Sequence, residues 1–207
     1  MYYFPFYGRV EVLAQLLSHA KADWEFVPVE RDQVAKYKEE GKSEFGQFPI
    51  AEINGKFYAQ TDAILRLLGR KHGYYPEDPE KAFLVDSAID GYKDVISKLY
   101  QLHFEQDMEK KKQGGADFLG KVLPGYFTVI EKRLTANGNN GYFIGEKFTI
   151  ADFYVGSFLT NFPYNEKFEQ NEHFREVVEK FPAVKKFADN YLAQLKEHLD
   201  KRPKLPF

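Results

Sequence analysis

The sequence contains no cysteine, and this absence excludes several kinds of chemistry. With none among its 207 residues, the chain has no disulfide scaffold, no CxxC redox motif and no cysteine nucleophile. The N-terminus shows no charged region followed by a short apolar core. No apolar run approaches the ~20 residues that a membrane helix needs. We therefore expect a globular protein of a reducing, cytoplasmic compartment, with no membrane partner.

Basic excess and cofactor motifs are also missing. The formal net charge is −2, so the chain lacks the positive field that would attract nucleic acid or an anionic membrane. The five histidines show no metal-ligand spacing, and no metal is expected. GxxxxGK[ST], GxGxxG and GxSxG do not occur. The sequence therefore offers little support for zinc, nucleotide or serine-hydrolase chemistry.

The first 73 residues alternate between strand and helix signals. "YYFPF" (2–6) and "WEFVPV" (24–29) predict short strands around an amphipathic helix, and Pro28 places the second strand at a sheet edge. Asn54 and Gly55 predict a two-residue hairpin, because a type I′ turn needs positive φ twice. A further helix follows, with Gly73 as its C-terminal stop. The order β-α-β-(α)-β-β-α predicts a mixed four-stranded sheet packed against helices.

Beyond the sheet region, the signals are almost entirely helical. Residues 74–81, "YYPEDPEK", predict a linker, and apolar spacing predicts a long helix through Val85 and His103. Another helix, "ADFLGKVLPGYFTVIEKRL", should be interrupted near Pro124, whereas "DMEKKKQGG" indicates a helix end and a solvated loop. Thr149 to Asp152 resembles a capping box. We therefore predict an α/β domain at 1–73 and an all-α domain at 82–207.

Four segments together resemble the cytosolic glutathione transferases, in a layout that covers nearly the whole chain. They are "YF…GRVEV", "FGQFPIAEINGK", "AQTDAIL" and "FTIADFY". "FGQ-x-P" with a tyrosine-type start is most similar to the sigma class, and "QTDAIL" is similar to the alpha class. The resemblance implies a thioredoxin-like N-terminal domain, glutathione as a co-substrate with no other cofactor, and a homodimer.

Tyr3 stands at the position of the family's catalytic tyrosine. Such an enzyme must convert a thiol with a free pKa of ~8.5 into a thiolate. A hydroxyl that donates to the sulfur favours the charged form, and the resemblance gives Arg9 of GR-x-E a supporting role. On the strand pattern alone, Tyr3 could equally be a core residue with a locally satisfied hydroxyl. Tyr2 should point to the opposite sheet face.

The resemblance also implies the glutathione-binding residues. Phe48 precedes Pro49, whose peptide bond is cis in the family, and its backbone would pair with the cysteinyl portion; a trans bond is the alternative. Gln60 and Thr61 begin the third helix, where free amides suit the γ-glutamyl carboxylate, although Thr61 could simply be an N-cap. Gln47 aligns with a contact near the cysteinyl-glycine portion.

Three regions depart from the family pattern or allow another interpretation. The second helix lacks the family's tryptophan, so Tyr37 and Lys42 are the nearest candidates to bind the glycyl carboxylate; an exposed charged face also explains this run. Pro5 and Tyr7 stand where the family has asparagine and arginine. Asp94 is either a solvated carboxylate or, by resemblance, a contact to the amine of the neighbouring subunit's glutathione.

The pocket for the second substrate is the least specified part of the sequence. Its candidate lining residues are Phe6, Tyr7, Tyr100, His103 and Phe104. Helix phase equally makes core residues of some of them, and the C-terminal "KLPF" could close over the pocket. Two functions remain open. One is an enzyme that adds glutathione to hydrophobic electrophiles, with peroxidase or prostaglandin-isomerase side activity; the other is a transferase-like structural or assembly protein.

Overall fold

The computed structural model describes residues 1–205. Pro206 and Phe207, the end of the "KLPF" segment, lie outside the described residues. The strands are β1 (Tyr2–Tyr3), β2 (Val27–Pro28), β3 (Ile50–Ile53) and β4 (Lys56–Ala59). The α-helices are α1 (Glu11–His19), α2 (Val34–Glu39), α3 (Thr61–His72), α4 (Pro79–Phe104), α5 (Met108–Asp117), α6 (Leu123–Ala136), α7 (Ile150–Asn161), α8 (Asn171–Val178), α9 (Pro182–Gln194) and α10 (Lys196–Lys201).

The sheet has the order β2-β1-β3-β4 and is mixed, as the sequence predicts. Strand β1 runs parallel to β2 and antiparallel to β3, and β2 occupies the expected edge. Asn54 and Gly55 join β3 to β4 with φ of 52° and 74°. This pair of positive φ angles confirms the predicted type I′ turn. Strand β1 thus lies between two neighbouring strands, with Tyr3 paired to Pro28 of β2 and Tyr2 paired to Ile50 of β3.

One apolar core joins the sheet-bearing part of the chain to the helical part. Helix α7 lies at its centre, and all of its residues are buried. Leu13 and Leu16 of α1 share this core with Phe153 and Phe158 of α7, and α1 also packs on α3. Because α1 packs against α7, α3 and α10, its N-terminal turn is fixed by contacts with both parts of the chain.

The segment 107–122 differs from the expectation. "DMEKKKQGG" is helical in α5, not a solvated loop, because Asp107 caps the helix and accepts hydrogen bonds from the backbone N–H groups of Glu109 and Lys110 at 3.0 and 3.1 Å. Helix α5 buries none of its residues, so it has no apolar periodicity to reveal it. The predicted interruption near Pro124 is a π-helical stretch at Phe118–Val122.

The capping box at the start of α7 is confirmed. One carboxylate oxygen of Asp152 accepts hydrogen bonds from the Thr149 N–H and hydroxyl, each at 2.7 Å. The other oxygen accepts the Phe143 N–H at 2.9 Å. Burial raises the pKa of Asp152 to about 6, although these hydrogen bonds favour the carboxylate. The carboxylate therefore fixes both the start of α7 and the loop that leads to it.

Residues 1–205 contain neither a membrane-spanning helix nor a cluster of metal-ligand side chains. No helix in this range combines the length and the apolar character needed to cross a bilayer. The same range contains no group of three or more histidine, aspartate or glutamate side chains arranged to hold a metal ion.

We predict that Asp152→Ala lowers the free energy of unfolding by about 2–4 kcal/mol. The substitution removes a helix cap and leaves buried donors unpaired. Urea unfolding at pH 7 measures the change, with Asp90→Ala on the exposed face of α4 as the control. Equal midpoints for the two variants would contradict the assigned role.

Candidate active site

The hydroxyl of Tyr3 lies at the beginning of α1. The side chain is only 5% exposed, and its ring contacts Phe4 and Phe6. The backbone N–H of Arg9 donates to the hydroxyl oxygen at 3.1 Å. Within residues 1–205 the hydroxyl proton itself has no acceptor. The group can therefore donate its proton to a ligand atom while Arg9 occupies its acceptor side.

Burial raises the pKa of Tyr3, and the N–H and charge of Arg9 lower it only in part. The phenol therefore keeps its proton at neutral pH and acts as a donor. The sequence assigns the supporting role to Arg9, but the group that touches Tyr3 is the backbone amide. The Arg9 side chain is exposed and contributes through its charge.

Gly8 contributes to this geometry and was missed as a site residue. Its φ is +39°, and a Cβ at this position would lie 2.5 Å from the Tyr3 hydroxyl and 2.7 Å from Phe6 Cε2. Only glycine leaves room for the hydroxyl here. Its place in the GR-x-E motif was the sequence signal that could have identified Gly8 as a site residue.

Phe48 and Pro49 lie beside Tyr3 at the start of β3. Their peptide bond is cis, one of the two alternatives that the sequence leaves open. Phe48 belongs to the same buried cluster as Tyr3 and Ile50, and its ring contacts Phe4 at a centroid distance of 5.5 Å. The structure thus brings this segment and the first strand together.

Two glutamines meet at the beginning of α3. Gln60 adopts a φ of 71° at the position before the helix, and its side-chain amide donates to Gln47 Oε1 at 3.1 Å. Both side chains are exposed, and Thr61 begins the helix. The Ser43 hydroxyl holds the preceding loop by donating to the Gln47 carbonyl at 2.9 Å. Two polar amides therefore lie at a half-buried helix N-terminus, a favourable place for a carboxylate.

Tyr37 packs beside Phe48 and Tyr2, a position that the sequence alone did not indicate. Its ring contacts both Phe48 and Tyr2, at centroid distances of 5.6 Å. Lys42 Nζ lies 5.7 Å from the centre of that ring and forms an ion pair of 2.7 Å with Glu40. Helix α2 buries none of its residues, as the exposed-face interpretation expects.

Asp94 is exposed on α4, next to Lys93. The Lys93 ammonium does not pair with it but lies 2.7 Å from Asp62 at the start of α3. Asp62 also accepts a hydrogen bond from the Tyr154 hydroxyl of α7. These bonds fix α3 against α4, on whose surface Asp94 lies.

The candidate residues for the second substrate do not line one common cavity. Phe6 and Tyr7 line a cavity of about 890 Å³ beside α1. Tyr100 and His103 line a smaller one of about 130 Å³ beside α4. Phe104 lines neither of these two and is 71% exposed. The group expected as a single pocket is therefore divided between two places.

One member of this group, Tyr100, interacts electrostatically with Tyr3 and Arg9. Burial raises the pKa of Tyr100 to about 12, with a further contribution from the nearby Tyr3, while the charge of Arg9 lowers it. Tyr100, on helix α4, therefore lies close enough to Tyr3 for the two hydroxyl groups to interact.

Tyr7 is bound to the C-terminal segment. Its hydroxyl donates to the carbonyl of Pro203 and accepts the N–H of Leu205 at 3.2 Å. The guanidinium of Arg202 stacks on its ring at 4.1 Å. Part of the "KLPF" segment thus lies against Tyr7, four residues beyond Tyr3.

Glu11, the acidic residue of GR-x-E, forms a buried polar network that the sequence reading missed. Its Oε1 atom accepts Gln15 at 2.8 Å and Arg202 at 2.7 Å, and lies 3.0 Å from His198 Nε2. Burial by itself raises the pKa of Glu11, but His198, Arg202 and Gln15 outweigh it and hold the pKa below its ordinary value. The network ties the first helix to α10 and the residue after it.

Comparison with known proteins is consistent with this architecture. Residues 93–202 match the family described as glutathione S-transferase, C-terminal domain. Glutathione S-transferase 2 of Manduca sexta is 31% identical over 194 residues, covering 93% of this chain and 91% of the relative.

Two solved structures superpose over almost their whole length. Prostaglandin synthase D of Nilaparvata lugens has a TM-score of 0.81 and 27% identity, with 98% of this chain and 96% of that chain covered. A monomeric glutathione S-transferase of the hookworm Necator americanus has a TM-score of 0.83 and 28% identity, with 100% and 98% covered.

The mixed sheet followed by a helical region defines a thioredoxin-like transferase architecture. The chain belongs to the glutathione S-transferase family. It is an enzyme of a family that uses glutathione as its co-substrate.

We predict that Gly8→Ala lowers kcat/KM for glutathione conjugation by about tenfold or more. The added Cβ displaces the Tyr3 hydroxyl from the Arg9 N–H, and one lost hydrogen bond of this kind is worth about 1–2 kcal/mol. Initial rates of wild type and variant measure the effect. Gly115→Ala is the control, because a Cβ there meets open space; full activity in Gly8→Ala would refute the close approach.

We predict that Glu11→Gln destabilises the protein by about 3–5 kcal/mol at pH 7, because it leaves Arg202 buried without its carboxylate. Since the folded-state pKa is lowered, the contribution of Glu11 is present above the unfolded value of about 4.5 and disappears as pH falls through the folded value. The difference between wild type and Glu11→Gln should therefore shrink below about pH 4. Urea unfolding across pH 3.5–7 tests this expectation, with the exposed Glu176→Gln as control; a pH-independent difference would contradict it.

Proposed function

We propose that this enzyme joins glutathione to hydrophobic electrophiles and that Tyr3 stabilises the reacting thiolate. The observation that carries the proposal is the orientation of the Tyr3 hydroxyl. Its oxygen accepts the Arg9 N–H, and its own proton remains available to a ligand. A sulfur atom placed against this hydroxyl would receive a hydrogen bond that favours its charged form.

The proposed reaction begins when bound glutathione loses its thiol proton to solvent. A free thiol of this type has a pKa of ~8.5, and a donor aimed at the sulfur lowers it. The raised pKa of Tyr3 keeps that donor protonated near neutral pH. The thiolate then attacks the electrophilic carbon, a carbon–sulfur bond forms, and the leaving group departs with its electron pair.

Glutathione would extend along the exposed end of the sheet. In this proposal the backbone of Phe48, beside Pro49, pairs with the cysteinyl portion. Gln60 and Thr61 bind the γ-glutamyl carboxylate at the start of α3, and Gln47 contacts the cysteinyl-glycine portion. The hydrogen bond between the two glutamines supports a common role.

The remaining polar contacts extend the same proposal. Tyr37 and Lys42 are placed at the glycyl carboxylate, supported by the contact of Tyr37 with Phe48. Asp94 would reach the amine of the glutathione in a second subunit, which makes the protein a homodimer. Phe6 and Tyr100 are the candidates to contact the electrophile, supported by their proximity to Tyr3.

We further assign the enzyme to the sigma-like group, with residues 1–73 as the glutathione-binding domain, 74–81 as the linker and 82–207 as the helical domain. The "FGQ-x-P" segment supports the class. A prostaglandin synthase among the structural neighbours supports a prostaglandin-isomerase side activity, and the thiolate would also suit peroxide reduction. The cysteine-free composition supports a cytoplasmic location.

A transferase-like assembly protein with weak or no catalysis is the second candidate. Two observations favour it: α2 contains no tryptophan, and the charge of Lys42 is already paired with Glu40. Weak binding of the glycyl carboxylate would follow. Failure of the protein to bind immobilised glutathione would support this alternative.

We predict that Tyr3→Phe lowers kcat/KM for conjugation of 1-chloro-2,4-dinitrobenzene by about 10- to 100-fold. A hydrogen bond to a charged group contributes about 1.5–3 kcal/mol. The pKa of bound glutathione, measured from its thiolate absorbance as a function of pH, should rise by about 1–2 units in the variant. Glutathione affinity at high pH should stay close to that of wild type. Tyr2→Phe, which removes a hydroxyl that donates to Glu52 instead, is the control. Unchanged turnover in Tyr3→Phe would remove Tyr3 as the catalytic group.

A further inference from the structure

The dipeptide Asn-Gly occurs three times in the chain, at 54–55, 137–138 and 140–141. None of the three belongs to the proposed glutathione site. In such a pair the asparagine side chain can react with the main-chain nitrogen of the glycine, because glycine has no Cβ to hinder the approach. The structure places the three pairs in different surroundings, so their reactivities should differ.

Asn54 and Gly55 form the exposed tip of the hairpin between β3 and β4. Within residues 1–205 the side chain of Asn54 and the N–H of Gly55 form no hydrogen bond. A Cβ built on Gly55 would meet no atom within 4 Å, so no neighbouring group covers the turn. Both groups that would react are therefore free in water.

The side chain of Asn137 is bound on both its atoms. Its Nδ2 donates to the carbonyls of Tyr142 and Gly145 at 2.9 and 2.8 Å, and its Oδ1 accepts the Gly145 N–H at 2.9 Å. The N–H of Gly138 donates to the Thr135 carbonyl at 3.0 Å. In this pair neither the amide nor the main-chain nitrogen is free to react.

Asn140 is held within the same loop. Its Nδ2 donates to the Gly145 carbonyl at 2.7 Å, and its Oδ1 accepts the Tyr142 N–H at 3.1 Å. Gly141 is buried, and its carbonyl accepts a hydrogen bond from Asn190 of α9 at 2.8 Å. The Asn140 side chain would have to give up its hydrogen bonds before it could turn toward the Gly141 nitrogen.

We propose that Asn54 is a site of spontaneous deamidation in the folded protein and that the loop 137–145 protects Asn137 and Asn140. The Gly55 nitrogen loses its proton and attacks Cγ of Asn54. A carbon–nitrogen bond forms, the side-chain carbon–nitrogen bond breaks, and ammonia leaves with the proton. Water then opens the cyclic imide at one of its two carbonyls. The reaction needs water alone and does not depend on the proposed role of Tyr3.

The two products of ring opening should affect the hairpin differently. Aspartate keeps the length of the main chain, and Asp-Gly suits the same type I′ turn. Isoaspartate carries the main chain through its side-chain carbons and lengthens the turn by one atom. Because the turn sets the register in which Ile53 pairs with Lys56, isoaspartate should weaken the pairing of β3 with β4.

Peptide mapping of the full-length protein tests the proposal. The protein is aged at neutral pH in water enriched in oxygen-18, and trypsin digestion in ordinary water then releases peptides 43–56 and 134–147. Asn54 should incorporate the label about tenfold or more faster than Asn137 and Asn140, since at least two hydrogen bonds must break before either of these reacts. Equal rates, or no label at Asn54, would overturn the proposal.

The same measurement in guanidinium chloride separates the effect of the fold from that of the dipeptide. The unfolded chain lacks the hydrogen bonds of the loop, so the three labelling rates should converge. A preference for Asn54 that persisted in the unfolded chain would overturn the protective role of the loop.

Two variants at the turn complete the test. Asn54→Gly removes the reacting side chain and keeps a dipeptide that suits the turn, so peptide 43–56 should take up no label. Asn54→Asp matches the aspartate product and should unfold at nearly the wild-type urea concentration. The isoaspartate form, isolated from the aged protein by chromatography, should unfold at a lower one. Equal midpoints for the isoaspartate form and Asn54→Asp would overturn the inferred effect on the strand pairing.

Discussion

The buried carboxylate of Glu11 is the interaction on which the rest of the structure depends. It lies in the first turn of α1, almost fully shielded from water, and is satisfied by Gln15, His198 and Arg202. Arg202 also donates to the carbonyl of Thr160 in α7 at 2.7 Å. One ionised group thus connects the beginning of the chain, its central buried helix and its C-terminal end. A buried charge persists only with such partners, so these elements have to dock together.

The candidate catalytic group is a direct neighbour of that network along the chain. Arg9, two residues before Glu11, presents its N–H to the Tyr3 hydroxyl. Gly8 leaves the space that this contact needs, and β1 holds the tyrosine from the sheet side. The position of the Tyr3 hydroxyl therefore depends on packing in both the sheet-bearing part and the helical part of the chain. The same C-terminal segment that binds Glu11 also lines the cavity of about 890 Å³, together with Phe6 and Tyr7.

Local sequence signals predicted the elements whose causes are local. The Asn54-Gly55 turn, the Gly73 stop and the Thr149 capping box depend on neighbouring residues only, and all three are confirmed. Helix α5 was missed because it buries nothing, and its one signal was the Asp107 cap. The division of the second-substrate candidates between two cavities was also unpredictable. Helical spacing identifies a face of α4 but not the element that covers it.

By itself, the sequence determined the order of strands and helices in residues 1–73, the family resemblance and the selection of Tyr3, Phe48 and Gln60 as candidate site residues. These depend on turn chemistry, periodicity and short motifs. Only the tertiary structure decided that the Arg9 amide rather than its guanidinium touches Tyr3, that Tyr37 contacts Phe48, and that Glu11 binds residues 187 and 191 positions away. Such contacts arise from the docking of distant segments around a shared core and a buried charge, and no spacing along the chain encodes them.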